Sequence, residues 1–196
     1  MKKNLDTKKI TIIGVLSAIS IILSMTPIGN IPLGALNITT MHIPVIIGAI
    51  IEGPIVGIIL GFIFGLTSLI RALTTPTLTN FVLLNPLVSI LPRIIIGIVA
   101  YFSFKSSLKI SKNEVLSGWI SAVLSSLVNS IGVLGMIYLL YANMYAEAFQ
   151  KLTGEAFKTA NVILFGTFVT NGIPEAIVAG FIVSALCAVL YKKKRK

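Results

Sequence analysis

Charge is scarce in this sequence, and acidic charge is nearly missing: 11% of the 196 residues are charged, 6 of them acidic against 16 Lys and Arg. A water-soluble domain carries about a quarter charged residues; here 56% are hydrophobic and the mean hydropathy is +0.99, so water is not the main solvent. The single cysteine, Cys187, excludes an intrachain disulfide and a thiolate cluster and reads as packing. One His and one Cys cannot assemble a zinc site. No Gly-x-x-x-x-Gly-Lys-Ser/Thr loop is present to hold ATP, and no Gly-x-Ser-x-Gly nucleophile elbow. The ionisable groups are scattered singly, so the chain is expected not to be an enzyme, and no metal or cofactor is called for.

What is present is a series of long apolar runs. At roughly 20 apolar residues per crossing, this length holds about six helices in one domain. The fold class is therefore an all-α integral membrane protein, a compact bundle of six transmembrane helices over residues 9–25, 41–52, 53–72, 85–104, 114–141 and 162–191. The first run is read as a retained helix, because Pro27, Ile28, Gly29 and Asn30 offer no small-residue cleavage site. The second is short for a span. The last is long for one and is interrupted by Asn171, Gly172 and Pro174, so it is expected to be a broken helix.

Basic residues cluster at three places: Lys2, Lys3, Lys8 and Lys9; a middle loop of Lys105, Lys109 and Lys112; and Lys192, Lys193, Lys194, Arg195 and Lys196. With six crossings all three fall on one side, and the positive-inside rule makes it the cytoplasm, so both termini are cytoplasmic. The basic tail reads as an anchor at lipid headgroups and not as a nucleic-acid site. The opposite side receives uncharged loops rich in Thr, Asn and Pro at 30–40 and 74–80, and a segment at 142–160. There Glu147, Lys151, Glu155 and Lys158 have the spacing of a surface helix.

Small residues recur every four positions along three helices: Gly53, Gly57, Gly61 and Gly65; Ser117, Ser121, Ser125 and Asn129; Ala176, Gly180, Ser184 and Ala188. In lipid no hydrophobic force draws helices together, so such stripes serve close backbone packing, here expected within the chain. Gly14 and Ala18, flanked by Ser17, make a shorter stripe on the first helix that is free to meet another protein.

Ionisable groups at membrane depth are costly and mark candidate sites. Arg93 and Glu175 are expected at similar depth in the outer half of the bundle, facing one cavity and paired with each other. Asn37, Thr39, Thr40, His42, Asn80, Asn85, Asn129 and Asn171 lie at the same level. A chamber of amides and hydroxyls with one or two charges suits a small polar metabolite. His42, beside a proline, reads as an interfacial group and not as a metal ligand, and Arg71 as a residue that snorkels.

The segments Thr40-Met-His-Ile-Pro-Val-Ile-Ile-Gly-Ala-Ile-Ile-Glu-Gly-Pro54 running into Gly57 and Gly61, Leu91-Pro-Arg-Ile-Ile-Ile-Gly97 and Asn171-Gly-Ile-Pro-Glu175 resemble those of the S components, the substrate-binding membrane subunits, of energy-coupling factor (ECF) vitamin transporters. The likeness covers nearly the whole chain. It implies a six-helix binder in the bacterial cytoplasmic membrane that captures a vitamin outside, docks on a membrane T component driven by two cytoplasmic ATPases, and reorients to release its ligand. Small residues on helix 1 contact the T component in that family, which here implies Gly14 and Ala18; the loops after helix 1 and before helix 4 close over the ligand. Among vitamins the likeness is nearest to the pantothenate-type S components, where a carboxylate would give Arg93 a charge-assisted partner. The alternatives are another vitamin such as pyridoxine or a thiamine precursor, or a stand-alone secondary transporter in which Glu175 carries a proton.

Overall fold

The computed structural model describes residues 7–26, 29–33, 36–75, 80–154 and 159–194. Lys2, Lys3, Arg195, Lys196, Glu155, Lys158 and the Pro and Thr residues at 76–79, all named above, lie outside them. Five helical stretches are long and apolar enough to cross a membrane: Thr7–Met25, Pro54–Thr74, Pro86–Ser111, Glu114–Thr153 and Ala160–Leu190. The protein is a multi-pass membrane protein.

Helix α1 (Thr7–Met25) leads into a hairpin of β1 (Asn30–Leu33) and β2 (Leu36–Thr39), antiparallel, with Asn30 opposite Thr39 and Pro32 opposite Asn37. This hairpin departs from the all-helical expectation. Ile31, Ile38 and Thr39 bring β-branched residues to a segment whose prolines and asparagines had marked it only as a loop.

Helix α2 (Ile43–Glu52) spans ten residues, roughly 15 Å against a hydrocarbon core of roughly 30 Å. It is a core helix: Val45, Ile46 and Ala49 are wholly buried against Val56, Leu60 and Ile96. Gly53, at φ +101°, makes the turn into α3 (Pro54–Thr74), and Pro54 starts that helix at a position where its missing N–H costs nothing.

After a 3₁₀ turn at Asn80–Leu84 come α4 (Pro86–Ser89) and α5 (Leu91–Ser111), separated by Ile90. The expected helix over 85–104 is thus two helices in line, and the second runs to Ser111. Lys105 and Lys109 accordingly sit on its last turns, and only Lys112, at φ +53°, lies in the turn.

Helix α6 (Glu114–Thr153), N-capped by Asn113 through Val115 N and Leu116 N, has 40 residues, roughly 60 Å, twice a membrane core. Its backbone leaves helical geometry at Tyr141 (φ −139°, ψ 16°), where the apolar part ends. The segment expected as a loop from 142 is therefore helical to Thr153. Last come α7 (Ala160–Thr167), a π-helical turn at Phe168–Gly172, and α8 (Ile173–Lys194). Asn171 and Gly172 do not break the last helix; they widen it by one such turn.

The glycine stripe of α3 packs on α5. Gly57 meets Gly97 backbone to backbone, Gly61 meets the Arg93 carbonyl, and Gly65 meets Ile90, so the two helices run antiparallel. On α6, Ser117, Ser121 and Ser125 are wholly buried, and Ser121 Oγ donates to Ala100 O of α5 at 2.7 Å. On α8 the buried stripe is Ala176, Ala179, Gly180, Val183 and Cys187, with Gly180 against Trp119 and Cys187 against Gly118. Ala188, expected on that stripe, is exposed, while Cys187 does pack.

These antiparallel pairings put the start of α1, the α2–α3 turn, the α5–α6 turn and the end of α8 at one end of the bundle. Lys8 Nζ to Glu52 Oε1, 3.1 Å, bridges the first two. The hairpin, the 3₁₀ turn and Arg93 lie toward the other end.

Candidate functional site

At the end opposite Lys8 and Glu52, a cavity of about 490 Å³ opens between α1, α3, α5 and α6. Ser24 of α1, with Thr39 and Met41 at the foot of the hairpin, forms one wall. Phe64, Ser68, Arg71, Ala72 and Thr75 of α3 form a second, Asn80 and Leu83 of the 3₁₀ turn a third, and Arg93 and Asn129 the remainder. Among these described residues two are cationic and none acidic.

Arg93 is held firmly. Its carbonyl rests on Gly61, its Nη1 donates to Val88 O at 2.8 Å, and its guanidinium lies 5.6 Å from the centroid of the Phe64 ring. Only 8% of the residue is exposed, and Nε has no partner in the protein. A buried guanidinium that is positioned by protein and has a donor left over is prepared for an anionic group. Asn129, at the cavity end of the α6 serine stripe, likewise keeps an unpartnered Oδ1 while 8% exposed.

Glu175 makes no salt bridge with Arg93 among the described residues, although the two charges act on each other. Its Oε1 lies 3.2 Å from Nδ1 of His42, too far off line for a hydrogen bond, and Thr39 hydrogen-bonds the carboxylate through both its side chain and its backbone. His42 is wholly buried between α2 and α8, so it is not an interfacial group. The helix after it explains why: α2 begins at Ile43 with Pro44 in its first turn, His42 is its N-cap, and the turn at Met41 and His42 lies beneath the hairpin. Together, Glu175 and His42 stand behind Thr39 and fix the foot of the hairpin on the cavity wall.

The other expected residues are dispersed. Asn85 caps α4, its Oδ1 accepting from Leu87 N at 3.0 Å, and its Nδ2 donates to the Tyr141 hydroxyl at 3.1 Å; it is not on the cavity wall. Asn80 is on the wall and donates to Thr75 O at 3.4 Å. Thr40 is buried and lines an apolar groove among α1, α2 and α8. Asn37 belongs to β2, and Asn171 to the π turn that lies against β2.

Arg71, expected to snorkel, is instead on the cavity wall, and Ser24 and Ser68 were not anticipated. A signal for Ser24 was present: Ser17, Ser20 and Ser24, at spacings of three and four, are the buried face of an otherwise apolar α1. Gly14 and Ala18 face away from the bundle, and nothing lies within 4 Å of where a Gly14 side chain would begin.

The family described as ECF transporter, substrate-specific component, matches residues 8–187. The chain is 30% identical over 171 residues to the pantothenic acid transporter PanT of Lactococcus lactis subsp. cremoris, covering 80% of this chain and 79% of that protein. It is 31% identical over 139 residues to the pantothenate transporter PanT of Leuconostoc mesenteroides subsp. mesenteroides, covering 66% and 68%.

Proposed function

Because the chain belongs to the substrate-specific components of ECF transporters, matched over residues 8–187, we propose that it is the vitamin-capturing subunit of an ATP-driven importer and that its vitamin is pantothenate. The observation that carries the substrate is the buried guanidinium of Arg93 on the wall of a cavity that also offers amides, hydroxyls and apolar side chains. Pantothenate joins a carboxylate to an amide and hydroxyls, and each group finds a complementary one here. The names of the two relatives point the same way.

In this reading Arg93 takes the carboxylate, and Asn129, Asn80 and Thr39 bond the hydroxyls and the amide. Asn37, Thr40 and Asn171 belong to the hairpin region that closes over the ligand; Glu175 and His42 anchor that lid. Asn85 acts at one remove, by holding the 3₁₀ turn and Tyr141 in place. The whole chain works as one six-helix domain of the bacterial cytoplasmic membrane, α2 with the hairpin above it completing the sixth crossing. Its lysine-rich end faces the cytoplasm. Gly14 and Ala18 present a small-residue face of α1 to the membrane T component, whose two ATPase subunits supply the energy this chain has no site to harvest. Glu175, bonded by Thr39 and 3.2 Å from His42, is read here as an anchor of the hairpin and not as a proton carrier.

Thermal unfolding of the detergent-purified chain against a panel of vitamins tests this. Ligand that binds only the folded state raises the midpoint with concentration. Pantothenate is expected to do so, and pyridoxine and thiamine to leave the midpoint unchanged; stabilisation by another vitamin and not by pantothenate would refute the assignment.

A further inference from the structure

Beside the ligand cavity lies a second one of about 550 Å³, between the outer ends of α1 and α3. The two share three residues: Ser24, Arg71 and Thr75 line both. Arg71 is the sole charged residue of the second cavity among the described residues, whose other walls are Thr, Ser, Ile and Met side chains.

The hydroxyls around it have already spent their protons. Ser24 Oγ donates to Ile21 O at 2.7 Å, Thr67 Oγ1 to Phe64 O at 2.8 Å, Thr74 Oγ1 to Ile70 O at 3.1 Å and Thr75 Oγ1 to Arg71 O at 2.8 Å. A hydroxyl with its proton committed to a carbonyl offers only lone pairs, which a carboxylate cannot use. The guanidinium of Arg71 is thus the one cation among the described residues of the second cavity to hold an anion. It stands at the junction with the chamber that Arg93 also lines.

One anchor on the way in and several inside is the arrangement of a path, not of two stores. We infer that the second cavity is a vestibule through which a small organic carboxylate reaches the ligand chamber between α1 and α3, and that Arg71 receives the carboxylate there and passes it to Arg93. The inference rests on the reading of the substrate as pantothenate. It assigns the two arginines to different rate constants. A charge met on the approach acts on association and its salt dependence, while a desolvated partner in the final site acts on dissociation.

The test is surface-plasmon resonance of the full chain in nanodiscs, with pantothenate and its neutral alcohol counterpart pantothenol as probes. Arg71→Gln is expected to lower the association rate of pantothenate about tenfold and flatten its salt dependence, with dissociation of pantothenate and association of pantothenol unchanged. Arg71→Lys, which keeps the charge, is expected to recover most of the association rate. An unchanged association rate in Arg71→Gln, an equal loss for pantothenol, or a loss appearing in dissociation overturns the inference while the substrate reading stands. A wild-type chain that binds no pantothenate overturns both.

Discussion

Gly61 lies flat against the carbonyl of Arg93, so that a side chain at position 61 would occupy the space of that oxygen. Lipid supplies no hydrophobic drive for helix pairing, so the α3–α5 crossing depends on such close approach at Gly57, Gly61 and Gly65. The packing stripe and the cavity wall are thereby coupled, because the backbone that carries Arg93 is seated by a glycine.

Gly61→Ala is expected to cost about 1–3 kcal/mol, the usual penalty of overpacking. It should also weaken ligand binding, since the Arg93 backbone must move. Gly14→Ala, where nothing stands within 4 Å, should leave both unchanged. Thermal unfolding midpoints of the two variants, with and without pantothenate, check the contrast.

Glu175→Gln keeps the shape of the side chain but removes the charge and exchanges one of the two oxygens open to Thr39 for a donor. A net hydrogen bond is worth about 0.5–1.5 kcal/mol, so ligand dissociation should accelerate by about two- to tenfold as the foot of the hairpin loosens. Dissociation measured by displacement of labelled pantothenate reads this directly; an unchanged rate would separate Glu175 from the lid.

Asn85→Ala removes a helix cap and a bond to Tyr141. The cap alone is worth about 0.5–2 kcal/mol. Stability should fall by that amount, and Tyr141→Phe, which removes only the hydroxyl, should lose less. Chemical denaturation of the purified chain compares them.

Gly14→Leu places bulk on the outward face of α1 without touching the bundle. Vitamin binding by the isolated chain should persist while copurification with the T component and its ATPases is lost. Retention of the complex would remove Gly14 from the docking face.

Much of this architecture is legible in the residues themselves. Apolar runs and lysine clusters locate the long helices and place their basic ends together, and the four-residue glycine spacing marks α3 as a packing helix before any contact is seen. The hairpin is not legible, because four-residue strands broken by Pro32 carry too little alternation to stand out from a loop. Neither is the partner of Glu175. Depth along a helix is readable from sequence, but which side chain meets it across the bundle is fixed by helix rotation, and that turned Glu175 toward His42 and Thr39 and left Arg93 to Val88 and Phe64. The place of Arg71 is hidden for a related reason, since whether a cation near a helix end also lines a cavity depends on what α1 places beside it.

The central claim is that a guanidinium held over Phe64 recognises the carboxylate of a vitamin. Isothermal titration of wild-type and Arg93→Gln protein with pantothenate and with pantothenol tests it most directly. The account predicts that the substitution weakens pantothenate by about 10- to 100-fold, the worth of a charge-assisted hydrogen bond, and leaves pantothenol nearly unaffected. Equal losses for the two compounds would contradict it, making Arg93 a part of the scaffold alone.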